Sequence, residues 1–255
     1  MIPLKSKREI DIMRKSGLIV GEVLKQIKKL IRPGVRTIDL DRFAEDLIKS
    51  KGSRPAFKDY KGYPSTICAS INEEIVHGIP GNRTLKKGDI ITVDVGAELE
   101  GYFADAAFTY AVDGIDDESE RLMRVTKTSL EKALQNTYAG KRISDISCAI
   151  QEHVESNGFN VIRAFVGHGI GSHLHELPEI PNFGIKDTGP RLENGMVLAI
   201  EPMVSAGSHE AKILQDGWTA VTADKSRVAH FEHTIAITEE GPEVLTLCQK
   251  KNVSK

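Results

Sequence analysis

Between residues 6 and 31 apolar side chains return every three or four positions: Ile10, Met13, Ile19, Val20, Val23, Leu24, Ile27 and Ile31. That spacing puts them on one stripe of a helix. Pro33-Gly34 ends the helix. Thr37 reads as the cap of a second one, with Asp39 and Asp41 in its first turn, where carboxylates suit the helix dipole, and Gly52 closes it. The plan returns later in the chain. An amphipathic stretch runs from about Ser119 to Asn136, Ala139-Gly140 breaks it, and Ser144-Asp145 start another helix that ends near Gly158. A shift of 106 residues lays Gly34 on Gly140, Arg36 on Arg142, Asp39 on Asp145, Ser50 on Ser156 and Gly52 on Gly158. We read two similar halves, helices outside and strands inside; chance similarity of two helix pairs is the alternative. Strand-like runs follow each pair: 65–71, 90–96, 102–112, 161–166, 196–204, 218–223 and 230–237.

Hydrophobic residues make up 40% of the 255-residue chain and charged residues 27%, which suits a sizeable core under an ordinary polar surface. A net charge of −2 gives no electrostatic reason to expect nucleic acid or an anionic membrane as partner. The first residues, Met-Ile-Pro-Leu-Lys-Ser-Lys-Arg, carry charges where a signal peptide needs an apolar run. No stretch reaches the roughly 18 to 20 apolar residues that span a bilayer. Cys68, Cys148 and Cys248 lie far apart and form no Cys-x-x-Cys pair. That speaks against a disulfide framework or a thiolate zinc site and for a reducing cytoplasm. No linker divides the chain, and Lys250 to Lys255 read as a loose polar tail.

The most informative local feature is a pair of aspartates. Residues 90–96, with Asp94, and 102–109, with Asp105, are both strand-like, and Glu98-Leu99-Glu100-Gly101 reads as the turn between them. A symmetric turn there predicts that Asp94 and Asp105 face each other directly. Asp is poor in strands, and like charges placed opposite destabilise a sheet. With Val93 and Val95 flanking Asp94, the site reads as buried. A shared proton or a cation must offset the repulsion, unless the hairpin lies at an edge with both carboxylates in water. Further candidates follow. His168 sits among glycines in Val166-Gly167-His168-Gly169-Ile170-Gly171, with His173 and His175 close behind, and Glu201 and Glu232 both lie in apolar, strand-like surroundings. Four carboxylates and one imidazole balance two divalent cations. Such a donor set suits Mn, Fe, Co or Zn and selects poorly among them. No His-Glu-x-x-His zinc helix is present.

These residues resemble methionine aminopeptidase type I. The resemblance runs through Ser70-Ile71-Asn72-Glu73 and His77-Gly78-Ile79-Pro80, Asp94 with Asp105, Gly167 to Gly171 with His175, Ile200-Glu201-Pro202 and Phe231-Glu232-His233-Thr234. It implies an α+β, pita-bread fold: one catalytic domain over residues 1–255 in pseudo-twofold halves, about 1–115 and 116–255, with antiparallel sheet inside. It implies two divalent ions, one held by Asp94, the other by His168 and Glu201, with Asp105 and Glu232 bridging. Glu201 would shuttle a proton, His175 would steady the oxyanion and His77 would hydrogen-bond the scissile amide. Phe57, Tyr60, Tyr63, Cys68, Leu174 and Trp218 would line the pocket for the first side chain. The substrate would be the N-terminal methionine of peptides and nascent chains near the ribosome, with a small second residue, attacked by hydroxide held between the two ions. A monomer is the family default. The short span from Glu201 to Glu232 and the absence of a Cys/His-rich N-terminal extension resemble the short bacterial form. Phe57, Leu174 and His230, the last in place of a frequent glutamine, depart from common family patterns. Two alternatives share the fold: a proline-directed aminopeptidase or dipeptidase, which usually carries a further N-terminal domain, and a non-catalytic protein-binding relative, which typically loses metal ligands.

Overall fold

Ser6 begins the first helix with a capping box: its hydroxyl accepts from the Glu9 N–H, and the Glu9 carboxylate accepts from the Ser6 N–H. Helix α1 (Lys7–Leu30) buries Ile10, Met13, Val20, Val23, Leu24 and Ile27, so the predicted stripe faces the core. In helix α2 (Thr37–Ser50) the cap position is Arg36 rather than Thr37. The Thr37 hydroxyl instead exchanges hydrogen bonds with the N–H and carbonyl of Gly81, which ties the helix start to a loop. Helices α3 (Asp117–Leu134) and α4 (Ile143–Ser156) form the second pair. The computed structural model describes residues 2–247; the expected polar tail and Cys248 lie outside that range.

The two pairs end and begin alike. Gly34 and Gly140 both take left-handed φ, +86° and +94°, as do Gly52 and Gly158 at +72° and +75°. The Gly34 N–H donates to the Leu85 carbonyl and Gly140 to that of Leu192, while Leu85 and Leu192 donate back to Val35 and Lys141. Glycine recurs because an L side chain is strained at such angles.

The strands are β1 (Arg54–Pro55), β2 (Ile67–Ile71), β3 (Glu74–Val76), β4 (Ile90–Leu99), β5 (Tyr102–Ala111), β6 (Asn160–Val161), β7 (Gly167–Gly169) and β8 (Glu176–Ile180). Then come β9 (Val197–Ile200), β10 (Met203–Ser205), β11 (Ala211–Ile213), β12 (Ala220–Thr222), β13 (Val228–His230), β14 (His233–Thr238) and β15 (Gly241–Val244). Every pairing among them is antiparallel. β4 lies between β2 and β5 and also pairs with β1, and a second sheet runs β15-β14-β9-β7-β8. One core packs α1 and α2 on β2, β4 and β5 through Leu24, Ile27, Leu40, Ile67 and Val93. The other packs α3 and α4 on the second sheet through Leu122, Ile146, Ile150, Leu198 and Ile235. The two meet along β5 and β14, where the Thr234 hydroxyl accepts from the Asp105 N–H and lies 2.8 Å from the Asp105 carbonyl oxygen.

Three predicted strands differ in a way that matters for the site. The run 161–166 is strand only at Asn160–Val161. The runs 196–204 and 230–237 are each broken, the first at Glu201-Pro202 and the second at Phe231-Glu232. Pro202 has no N–H to give a sheet ladder. Its carbonyl accepts from the Phe231 N–H at 3.3 Å, so the two breaks lie side by side.

Candidate metal centre

The β4–β5 hairpin turns at Glu100-Gly101, both in the left-handed region at +51° and +83°. Leu99 therefore pairs with Tyr102, and Asp94 pairs with Ala107 while Asp105 pairs with Gly96. The expected face-to-face register is corrected by two residues. A two-residue turn with both φ values positive matches the natural strand twist and is the commonest hairpin connection. Because side chains alternate with period two, the shift leaves Asp94 and Asp105 on the same face as diagonal neighbours. Gly96 opposite Asp105 leaves room for Phe57: a Cβ there would lie 2.7 Å from the Phe57 ring and 2.9 Å from Ala56.

His168 lies within the short strand β7, not in a loop after a strand as its glycines suggested. The flanking glycines let β7 slot between β8 and β9. A Cβ on Gly167 would meet the Ala199 carbonyl oxygen at 2.4 Å, and one on Gly169 the Leu177 oxygen at 2.2 Å. Backbone on both sides cannot yield cheaply. Gly169→Ala is expected to cost about 3 kcal/mol, a fall in Tm of about 6–12 °C for a chain of this size. Calorimetry measures it, and an unchanged Tm would show that β7 can shift.

Glu201 emerges at the end of β9 and Glu232 at the break before β14, its N–H donating to the Ala107 carbonyl at 2.8 Å. The five side chains converge. His168 Nε2 lies 3.6 Å from Asp105 Oδ2 and 3.7 Å from Glu201 Oε1. Donor atoms of Asp105, His168 and Glu232, all buried, lie within 4.8 Å of one another. Asp94 and Glu201 are half-buried and open onto the same cavity of about 310 Å³.

The electrostatics are those of crowded acids with little water. Burial, then the Asp105 charge, pushes the Asp94 carboxyl well above its ordinary range. Glu201 and Glu232 are raised likewise, by burial and then by the neighbouring carboxylates. Asp105 rises to about 6 through burial, tempered by His175 and the Thr234 hydroxyl. Burial lowers His168 to about 4, leaving a neutral ring with a free lone pair. Asp94 Oδ1 is buried without any hydrogen-bond partner among the described residues. Such an orphan beside three further carboxylates is costly without a partner, and divalent cations would supply both missing partner and missing charge. The donors therefore fit metal binding.

The cavity wall holds all the predicted pocket residues. Phe57, Tyr60, Tyr63, Cys68, His77, Leu174, His175 and Trp218 line it, joined by Lys61 and Val76, which sequence reasoning did not single out. Tyr63 is pinned by donating to the carbonyls of Ile67 and Gly78 and packs edge-on against Trp218. His77 takes a left-handed φ of +60°, uncommon outside glycine, and its ring meets Phe165 and Trp218 edge-on. His175, exposed at the mouth, shares a 2.8 Å hydrogen bond between its Nδ1 and the Tyr60 hydroxyl, and its ring lies 4.3 Å from that of His168. Cys68 pairs with Asp94 across β2 and β4, and burial followed by that charge raises its thiol, so the sulfur stays protonated and soft. A larger cavity of about 630 Å³, between α1 and α3, is lined by Phe108, Tyr110 and Phe231 and has Glu120 as its only carboxylate among the described residues. It does not share the chemistry of this site.

Residues 11–239 match the model of metallopeptidase family M24. The chain is 54% identical over 246 residues to methionine aminopeptidase 1 of Bacillus subtilis, covering 96% of this chain and 99% of that one. It is 51% identical to a methionine aminopeptidase of Clostridium perfringens, covering 97% of this chain and 99% of that one. Among solved structures, that of methionine aminopeptidase from Thermotoga maritima superposes with a TM-score of 0.96 at 50% identity, over 97% of this chain and all of that one. A prolidase from Pyrococcus furiosus shares the fold alone, with a TM-score of 0.79 at 23% identity, over 97% of this chain and 66% of that one. The mixed helical and antiparallel architecture is the pita-bread fold common to these enzymes.

Proposed function

The chain belongs to metallopeptidase family M24 and within it to the methionine aminopeptidases, and from that premise we propose how its residues divide the work. It is a metallohydrolase that removes the N-terminal methionine of peptides and proteins. The observation that carries the metal reading is the buried group of Asp105, His168 and Glu232, joined on one cavity by Asp94 and Glu201.

Two divalent ions fit the charge of four carboxylates. Asp94 would hold one, His168 and Glu201 the other, and Asp105 and Glu232 both. When bound, such ions acidify a water to near neutral pH and polarise a carbonyl. The remaining steps fall to the side chains. Glu201, half-buried at the rim of the donor cluster, carries the proton from water to the leaving amine. His175, with Nδ1 engaged by Tyr60, keeps Nε2 for the developing oxyanion, a role worth a few kcal/mol. His77 hydrogen-bonds the scissile amide from its strained backbone. Phe57, Tyr60, Tyr63, Cys68, Leu174 and Trp218 enclose the first side chain, with Val76 adding to the apolar wall.

Cobalt, manganese, iron and zinc are all compatible with one imidazole and four carboxylates. We place the enzyme in the cytoplasm as a monomer, acting on nascent chains near the ribosome when the second residue is small, and assign residues 1–255 to one catalytic domain of two halves meeting near residue 115. Among the described residues no helix is long and apolar enough to cross a membrane. A Met-Ala-Ser tripeptide assayed anaerobically with each metal tests the activity. Release of methionine with at least one metal, and none from an Xaa-Pro peptide, is expected; the reverse preference would reject it. Because an apolar pocket separates similar side chains by only about 1–3 kcal/mol, norleucine in first position is expected to be cleaved within about 100-fold of methionine. Complete rejection of norleucine would show that recognition rests on the sulfur instead.

A further inference from the structure

His230 stands outside every role assigned so far. It ends β13, and its backbone is clamped by Thr109: the His230 N–H donates to the Thr109 hydroxyl at 2.8 Å, and that hydroxyl lies 2.9 Å from the His230 carbonyl oxygen. The ring is 1% exposed and does not line the cavity. Neither ring nitrogen has a hydrogen-bond partner among the described residues. A buried imidazole must carry at least one N–H, and leaving it unmatched costs about 1–3 kcal/mol. The polar atom facing it is a carboxylate oxygen: His230 Nε2 lies 3.5 Å from Glu201 Oε2.

Glu201 is thereby set between two imidazoles. Its Oε1 is turned to His168, a cavity residue, and its Oε2 to His230 behind the wall. A closing movement of about 0.6 Å brings the second contact into ordinary hydrogen-bond range. One oxygen can then serve the donor cluster while the other is held. Glu201 has no other side-chain anchor among the described hydrogen bonds: Asn182 donates only to its main-chain carbonyl.

We propose that His230 is a positioning residue that donates from Nε2 to Glu201 Oε2 and so fixes the direction of the Glu201 carboxylate. This rests on the reading of Glu201 as a metal-holding, proton-carrying group. Groups that orient a metal-binding side chain typically account for a 10–100-fold change in metal affinity or activity. An unheld Glu201 would keep its charge but lose its direction, which affects the metal and kcat more than substrate binding.

The test compares His230→Phe, which fills the space without a donor, with His230→Gln, which restores an N–H on a side chain of similar reach. Manganese binding is followed by calorimetry without substrate, and kcat and KM are measured separately with Met-Ala-Ser. The expected result for His230→Phe is a 10–100-fold weaker affinity for one manganese and a comparable loss in kcat, with KM within about twofold. His230→Gln is expected to recover both to within about threefold. Unchanged manganese affinity and kcat in a folded His230→Phe protein would overturn the proposal. So would His230→Gln behaving as badly as His230→Phe with one manganese lost altogether, since that would make His230 itself a ligand. If the Phe variant does not fold, His230→Gln still decides against His230→Ala. Wild-type protein that binds manganese but does not cleave Met-Ala-Ser would sink the proposed activity and leave the binding comparison intact.

Discussion

Glu232→Ala and Asp105→Ala are each expected to lower kcat/KM on Met-Ala-Ser by at least about 1,000-fold, and to reduce the bound metal measured after dialysis. The two carboxylates are placed on backbone that packing holds fixed. Asp105 Oδ1 lies 3.0 Å from the Thr234 hydroxyl, and the Glu232 main chain is tied to Ala107. Removing either takes one of the three donors, Asp105, His168 and Glu232, that lie within 4.8 Å of one another. A water that is no longer acidified attacks an amide poorly. A shift of its pKa from near neutral back toward bulk water corresponds to a far larger factor than the 1,000-fold set as the lower bound. His175→Ala provides the contrast. It sits at the mouth and lies outside the trio, so metal content should stay unchanged while kcat falls at least about tenfold. Near-normal turnover in Glu232→Ala or Asp105→Ala would reject the shared-ligand roles, and metal loss in His175→Ala would reject its place outside the cluster.

The sequence made the members of this cluster legible but not its geometry. Each carboxylate stood out as an acid in apolar surroundings. The helix pairs showed in the spacing of Ile10 through Ile27, and their ends in Gly34, Gly52, Gly140 and Gly158. The hairpin register did not show, because Glu100 adopts a left-handed φ that its residue type does not advertise. The error was harmless, since a slip of two residues keeps a side chain on its face, where a slip of one would have sent Asp105 into the opposite core. Across the strand breaks at Glu201-Pro202 and Phe231-Glu232 the sequence reads as continuous strand. Nothing local in Phe231-Glu232 forbids a strand, and the break depends on contact with Pro202, far away in sequence. Lys61 left no signal, since it reaches the cavity from a single 3-10 turn, Tyr60–Gly62, in which its φ is +50°. His230 did leave one. It lies two residues before Glu232, where alternation along an unbroken strand would put the two on one face.

Metal removal is expected to lower Tm steeply, and a single neutralising substitution should partly reverse that loss. Each bound ion at a hundredfold excess over its dissociation constant stabilises the folded state by about 2.7 kcal/mol, which for a chain of this size corresponds to about 5–10 °C per ion. Chelated protein keeps four acids crowded on one small cavity, with Asp94 Oδ1 unmatched. Whether they stay charged or take up protons, folding without metal carries that cost. Asp94→Asn removes one charge, keeps the volume and adds a donor. It is expected to raise the Tm of the chelated protein by about 2–4 °C, equivalent to about 1 kcal/mol, while cutting the gain produced by manganese at least in half. The substitution thus stabilises the protein in the state that does no work and weakens it in the state that does, the trade expected where a site stores like charges for a cation. Scanning calorimetry of wild type and Asp94→Asn, each with chelator and with manganese, gives four values of Tm. Equal manganese gains in both proteins would show that Asp94 holds no ion, and a lower chelated Tm in the variant would show that the acids do not repel.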